Sequence, residues 1–304
     1  IISNLLKDKS KVKWYLKRRF VFVMLLLFPP LGLIFLWSGA KFKRVTKIIL
    51  SIIFVSIFIF WQIYYSKKYE KITSKKPVEM IIETISKPKK KTYLKKVDEG
   101  ILRNLQFTTL SKKTRSKLAV SDIATLSSPA IVSIKTRNKE GDELGLGSGF
   151  IVSSDGIIAT NFHVLESAYQ AEIKIGENEF KEVYFIKGNP SLDIALLKIN
   201  ANNLSSLPIG DSDSLINGQF IVAIGNPWGF ERSVSNGIVS GIRSKGDMKI
   251  IQMTAPVSPG SSGGPIINEY GEVVGVTTVA LFLFAQNLNF AIPINNLQKL
   301  INEK

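Results

Sequence analysis

The chain contains no cysteine and a single histidine, His163. The first absence excludes disulfides, thiolate metal sites and a cysteine nucleophile. Together the two leave few ligands for a zinc site, so neither a metal nor a cofactor is expected. Acidic residues are scarce in one part only. Residues 1–117 carry 27 Lys/Arg against 6 Asp/Glu, whereas residues 118–304 carry 13 against 18. The formal net charge of +16 therefore describes neither part. A basic segment can serve nucleic acid, but no recognition motif accompanies these charges, and no nucleic-acid partner is expected. They flank long apolar runs, which points to lipid headgroups and membrane topology instead.

Two runs lack any charge, residues 20–37 (FVFVMLLLFPPLGLIFLW) and 48–65 (IILSIIFVSIFIFWQIYY). Each has 18 residues, which as a helix spans roughly 27 Å, close to a hydrocarbon core of about 30 Å. Trp37, Trp61, Tyr64 and Tyr65 stand at the ends of these runs, where amphipathic rings prefer the interface. The second run is apolar all round, and no small-residue cleavage site follows it. An α-helical membrane anchor over 20–65 is expected, behind a basic segment 1–19. All three flanks, 7–19, 41–47 and 67–76, are basic, so charge does not orient it. Pro29-Pro30 breaks the first run. A re-entrant first run with one crossing by the second would place the C-terminal domain outside, the reading preferred here; two crossings would leave both termini on one side. Residues 66–117 contain KKPVEM, SKPKKK and SKKTRSK and read as a charged stalk, with room for short helices near 78–86 and 97–107.

From residue 118 the pattern changes to short apolar stretches punctuated by Gly, Asn, Asp and Pro. Examples are AIVSIKT (130–136), GSGFIVSS (147–154), GIIATN (156–161), DIALLKI (193–199), QFIVAIG (219–225) and EVVGVTTVAL (272–281). Many short strands at close spacing mean an antiparallel sandwich or barrels. The domain 118–304 has the length for two six-stranded barrels.

Within this β pattern three residues can share one chemistry. His163 follows an apolar strand in TNFHVLES, Asp193 opens one in NPSLDIALLKI, and Ser262 lies in the glycine-rich loop SPGSSGGPI. Each alone would pass for a structural or turn residue. Amide hydrolysis, however, needs a hydroxyl activated by an imidazole, and the imidazole in turn needs a carboxylate to fix its tautomer. Glycines in the nucleophile loop let backbone N–H groups face the developing oxyanion. The order His, Asp, Ser is that of chymotrypsin-like barrels. GxG pieces near 145–149 and 225–229 have no following helix and are discounted as nucleotide sites.

These residues sit in longer stretches, GSGFIVSSDGIIATNFHV, NPSLDIALLKI, LPIGDSDSLINGQFIVAIGNPWG, SVSNGIVSGIRS, SPGSSGGPIINEYGEVVGVTT and NFAIPI. Over roughly 123–294 their order and spacing resemble the HtrA (Deg) family of trypsin-like serine proteases. The resemblance implies an all-β, chymotrypsin-like double six-stranded antiparallel barrel and ATP-independent endopeptidase activity on protein or peptide substrates. It also implies a role in protein quality control or regulated cleavage at the cell envelope; trimers occur in the family, and the oligomeric state of this chain stays open at this point. It puts the triad on His163, Asp193 and Ser262 and the oxyanion-hole backbone on Gly260, Ser261 and Ser262, of which Gly260 and Ser262 would supply the N–H groups. The strand after the nucleophile, Gly275, Val276, Thr277, Thr278 and Val279, would form one wall of the primary pocket. That wall is uncharged, so cleavage after small or medium apolar side chains is expected.

Two departures stand out. Family members usually carry a PDZ domain after the protease, and 11 residues after Pro293 do not accommodate one. The family also commonly reads Asp-Ala-Ala and Asn-Pro-Gly-Asn-Ser before and at the nucleophile, where this chain has Thr254-Ala255-Pro256 and Ser258-Pro259-Gly260-Ser261-Ser262. Two other readings stay open at this stage. One is a catalytically silent protease-fold module that binds unfolded chains or partner proteins, against which the complete set of triad residues counts. The other is an esterase on the same barrels.

Overall fold

The computed structural model describes residues 43–73, 91–111, 116–226, 232–246, 248–278 and 288–303. The first apolar run, the helix expected near 78–86 and Val279 lie outside these residues. The chain divides into two units, 1–76 and 77–304. The described residues of the first form a long helix, α1 (Arg44–Thr73), which contains the whole second apolar run. Of its described apolar side chains, Ile49, Ile52, Val55, Phe58 and Ile63 stand exposed and Leu50 is half-buried. Among the described residues, which leave out the side chains at 54, 57, 61, 62 and 65–73, no helix is long and apolar enough to cross a membrane.

The described residues of the second unit are β apart from 3-10 turns and two short helices, α2 (Val120–Ser127) and α3 (Asn295–Asn302). Its first sheet comprises β1 (Ile131–Arg137), β2 (Glu143–Ser153), β3 (Ile157–Thr160), β4 (Gln170–Ile175), β5 (Asn178–Phe180), β6 (Val183–Asn189) and β7 (Ile194–Ile199). All its pairings are antiparallel, in the order β5-β4-β1-β2-β3-β7-β6. The second comprises β8 (Phe220–Gly225), β9 (Ser233–Lys245), β10 (Met248–Met253), β11 (Pro265–Asn268), β12 (Val273–Thr278) and β13 (Asn289–Pro293). These six close into a barrel, β10-β13-β12-β11-β8-β9.

Two β assemblies with the expected strands bear out the trypsin-like double barrel, with one correction. The first sheet has seven strands and is not closed by hydrogen bonds between β5 and β6. The reason lies upstream. Phe185 of β6 donates its N–H to Lys95 O and accepts from Val97 N–H, so Lys96 bridges it in parallel and its outward backbone groups are already paired. Residues 92–108, read from composition as stalk, thus run along the barrels. Leu94 and Leu102 are buried among the side chains of the first sheet, and Ile209 N–H donates to Thr108 O. In place of the helix expected over 97–107 there is a 3-10 turn, Glu99–Asn104, with the Asp98 carboxylate accepting from Gly100 N–H.

Alternation explains which faces are buried. In β1, Val132, Ile134 and Thr136 point inward, whereas Ser133, Lys135 and Arg137 are partly exposed. β7 (IALLKI) is buried along nearly its whole length because it lies between β3 and β6 under the rest of the unit. One core runs from Ile134, Phe150 and Leu197 of the first sheet to Val276 and Phe290 of the second, so the two assemblies pack as one body. A smaller cluster, including Ile221, Val239, Ile251 and Ile266, belongs to the closed barrel alone.

Candidate active site

β3 ends at Thr160, and the chain turns through Asn161 into a single 3-10 turn, Phe162–Leu165, that carries His163. This turn lies tightly on β2. A Cβ at Gly147 would come within 2.5 Å of Val164 Cγ1, so only glycine admits the approach. Phe162 and Leu165 are buried and fix the turn from beneath.

Asp193 stands just ahead of β7 in a left-handed conformation, φ 52°. Two side chains hold it there. The Asn189 carbonyl oxygen accepts from Ser191 N–H and Leu192 N–H and closes the turn before it. Asn161 Nδ2 donates to Asp193 O at 2.9 Å. The Asp193 carboxylate is 1 % exposed. Its Oδ2 lies 2.9 Å from His163 Nδ1, and its Oδ1 accepts from the His163 backbone N–H at 3.1 Å. An ionised carboxylate only accepts, so Nδ1 carries the hydrogen and Nε2 is left with a lone pair when the ring is neutral. The imidazole is 30 % exposed, buried on one side and open to the cleft on the other.

The loop with Ser262 enters from the second barrel. Gly260 has φ 95° and Gly263 φ 90°, conformations that L side chains resist. A Cβ on Gly263 would meet Ser148 O at 2.0 Å and Thr160 Oγ1 at 2.3 Å. The nucleophile loop is thereby pressed against the strands that lead to His163. Ser148 N–H donates to Ser262 O at 2.7 Å, and Thr160 Oγ1 donates to Ser148 O at 2.7 Å. Ser262 itself is buried, at 7 % exposure. Behind the loop, Thr277 Oγ1 bonds Ser261 O and Gly264 O, and Gly263 N–H bonds Thr277 O.

Two expectations need correction. Ser261 N–H closes a turn onto Ser258 O at 2.9 Å, so it is committed to the loop and does not face an oxyanion; Gly260 and Ser262 remain as candidate donors. Of the pocket wall expected from Gly275, Val276, Thr277, Thr278 and Val279, whose last member lies outside the described residues, Thr277 is the described residue that lines the cavity beside the loop. Gly275, Val276 and Thr278 are buried within β12 and face its neighbours. The cavity, about 180 Å³, is lined by the end of β8 (Ala223, Gly225), the start of β9 (Val234) and Pro256, Val257 and Ser258, with no charged side chain among the described residues. Sequence reading also passed over Ser148, Thr160 and Asn161. Their one signal was adjacency, Ser148 between two glycines and Thr160-Asn161 directly before Phe162-His163. Among the described residues no cluster of His, Asp or Glu could hold a metal.

Residues 147–276 match the trypsin-like peptidase domain family. Over 169 residues the chain is 41 % identical to a putative serine protease HhoB of Synechocystis sp., covering 53 % of this chain and 40 % of that protein. It is 36 % identical to the serine endoprotease DegS of Haemophilus influenzae over 189 residues, 56 % of either chain. A probable periplasmic serine endoprotease DegP-like of Pseudomonas fulva is 38 % identical over 166 residues, 52 % of this chain and 34 % of that one. The chain thus spans about a third to just over half the length of these curated relatives. Among solved structures, the HtrA-type protease AlgW with tripeptide superposes with a TM-score of 0.56 at 29 % identity, over 61 % of this chain and 64 % of that one. The same protease with a decapeptide gives 0.55 at 26 %, over 60 % and 66 %.

Proposed function

We propose that this chain is a serine endopeptidase of HtrA type that cleaves peptide bonds with His163, Asp193 and Ser262. The carrying observation is the His163–Asp193 pair, 2.9 Å between Nδ1 and Oδ2, set beside a glycine loop that presents Ser262. The relatives named above are serine proteases, and the superposed structures hold peptides. Ser262 Oγ adds to the scissile carbonyl carbon as His163 Nε2 takes its proton. Asp193 steadies the resulting imidazolium. The N–H groups of Gly260 and Ser262 receive the oxyanion. Collapse expels the amine, which takes the proton from His163 and leaves an acyl ester on Ser262. Water, losing a proton to His163, then adds to that ester; its breakdown frees the acid and returns the proton to Ser262.

The protease works tethered to the membrane and outside the cytoplasm. Supporting this are the 18 uncharged residues 48–65, the exposed apolar side chains along α1, such as Ile49, Ile52 and Phe58, and the periplasmic description carried by relatives. Substrates are unfolded or damaged chains of the cell envelope. The full chain, solubilised in detergent, tests both halves of the reading. It should hydrolyse casein and take a fluorophosphonate label at Ser262, and Ser262→Ala should abolish both with folding unchanged. Hydrolysis that survives Ser262→Ala would sink the assignment. Partitioning into the membrane fraction should be lost when residues 20–65 are deleted.

A further inference from the structure

Resting on the protease reading, we infer that Ser148 is a positioning residue: one buried hydroxyl holds the oxyanion-binding backbone of the second barrel in register with His163 on the first. The direction of its hydrogen bonds follows from chemistry. Asn226 N–H lies 2.8 Å from Ser148 Oγ and can only donate. Gly260 O lies 2.7 Å from the same oxygen and can only accept. The one hydroxyl hydrogen is therefore spent on Gly260, in a relay from Asn226 N–H through Ser148 to the Gly260 carbonyl. Ser148 and Asn226 are both buried, where such relays strengthen one another and water cannot substitute.

Gly260 is the residue that most needs holding. At φ 95°, with no Cβ, its two flanking peptides can rotate freely in the absence of an outside partner. The peptide joining it to Ser261 is gripped at both ends, its carbonyl by Ser148 Oγ and its N–H by Ser258 O at 2.9 Å. Ser148 grips the carbonyl of Ser262 as well, since its own N–H donates to Ser262 O at 2.7 Å. Both residues whose N–H groups would meet the oxyanion, Gly260 and Ser262, thus have their carbonyls bound by one residue. The other end of that residue is fixed to the first barrel. Ser148 O accepts from Thr160 Oγ1, neighbouring Gly147 lies under Val164, and Asn226 Nδ2 donates to Val132 O of β1.

The test compares wild type with Ser148→Ala, which deletes only the hydroxyl, and Ser148→Cys, which keeps its shape but donates weakly. Active-site titration counts competent molecules, and each variant is assayed well below its melting temperature on a peptide substrate. Ser148→Ala should lower kcat by about 10- to 100-fold, somewhat less than deleting an oxyanion donor outright, with KM within twofold. The inhibition constant of a peptide boronate, whose tetrahedral adduct uses the oxyanion site, should weaken by the same factor as kcat/KM. Ser148→Cys should fall between the two. A merely structural role would lower the titrated fraction or the melting temperature and leave that parallel absent. Were Ser148→Ala not to fold, Ser148→Cys carries the same readouts. A kcat within twofold of wild type in the folded variants, or a drop in kcat with boronate affinity unchanged, overturns the inference. Absence of any Ser262-dependent hydrolysis by the wild type would instead defeat the protease reading itself.

Discussion

Asn161 donates its side-chain amide to the main-chain carbonyl of Asp193 over 2.9 Å, and Asp193 holds φ 52°. A left-handed aspartate costs of order 1 kcal/mol and persists only where neighbours hold it. Asn161→Ala removes that neighbour. The protein should lose about 1–3 kcal/mol of stability, and kcat should fall on the order of 10- to 100-fold through a displaced carboxylate. Denaturant unfolding and peptide hydrolysis read the two effects. Asp193→Asn should cost more in rate, about 10⁴-fold, because its amide can hold the wrong tautomer of His163.

Gly263 and Gly271 both have positive φ, 90° and 82°, yet their surroundings differ. At Gly271 a Cβ would meet only the tip of Leu118 at 3.2 Å. At Gly263 it would meet a backbone carbonyl at 2.0 Å. Gly271→Ala should cost about 1 kcal/mol of backbone strain. Gly263→Ala should cost more than about 4 kcal/mol and abolish soluble, active protein. Similar midpoints for the two variants in urea would contradict this.

Among the described residues, no charged side chain lines the cavity beside Ser261 to meet a lysine or arginine. Mapping the cuts made in an unfolded protein should show Ala, Val, Thr or Leu on the acyl side of most sites. A majority of cuts after basic residues would mean that another surface selects the substrate.

Leu94 and Leu102 fill the core from the segment ahead of residue 118. Burying a leucine contributes roughly 1.5–3 kcal/mol. A chain begun at 118 should therefore be several kcal/mol less stable than one begun at 91, a loss visible in denaturant midpoints. Equal midpoints would show that the segment docks without stabilising.

Asp213 accepts from Lys249 Nζ and from the Asn295 amide, and these bonds, the first above all, hold its carboxyl below the ordinary value. A lowered folded pKa adds stability above the unfolded pKa and forfeits it as pH falls through the folded one. The pair is exposed and screened, so the gain is small. The stability gap between wild type and Asp213→Ala should be present at neutral pH and close on acidification; a gap that widens in acid would reverse the sign.

The short apolar runs located the strands, and the order His163, Asp193, Ser262 together with its flanking motifs pointed to one cleft. These signals are local, because alternation and turn residues are written in neighbouring positions. The supports of the site were not legible. Thr160 reaches Ser148 across 12 positions, Asn161 reaches Asp193 across 32, and Ser148 reaches Gly260 across 112. Which distant carbonyl a hydroxyl meets is decided only once the barrels close. The leucines of 92–108 were hidden for a different reason: two apolar anchors spaced among lysines give no periodicity, and their burial depends on gaps in a sheet that lies later in the chain.

The parallel bridge of Lys96 to Phe185 has a consequence for how this protein tolerates cleavage. An open strand border is a template for another chain, and residues 95–97 occupy that border on β6. A cut upstream of Lys91 would free the unit with its border sealed, whereas one just after Val97 would bare the N–H and C=O of Phe185 and invite self-association. Shedding and aggregation would then be separated by fewer than ten residues of the chain.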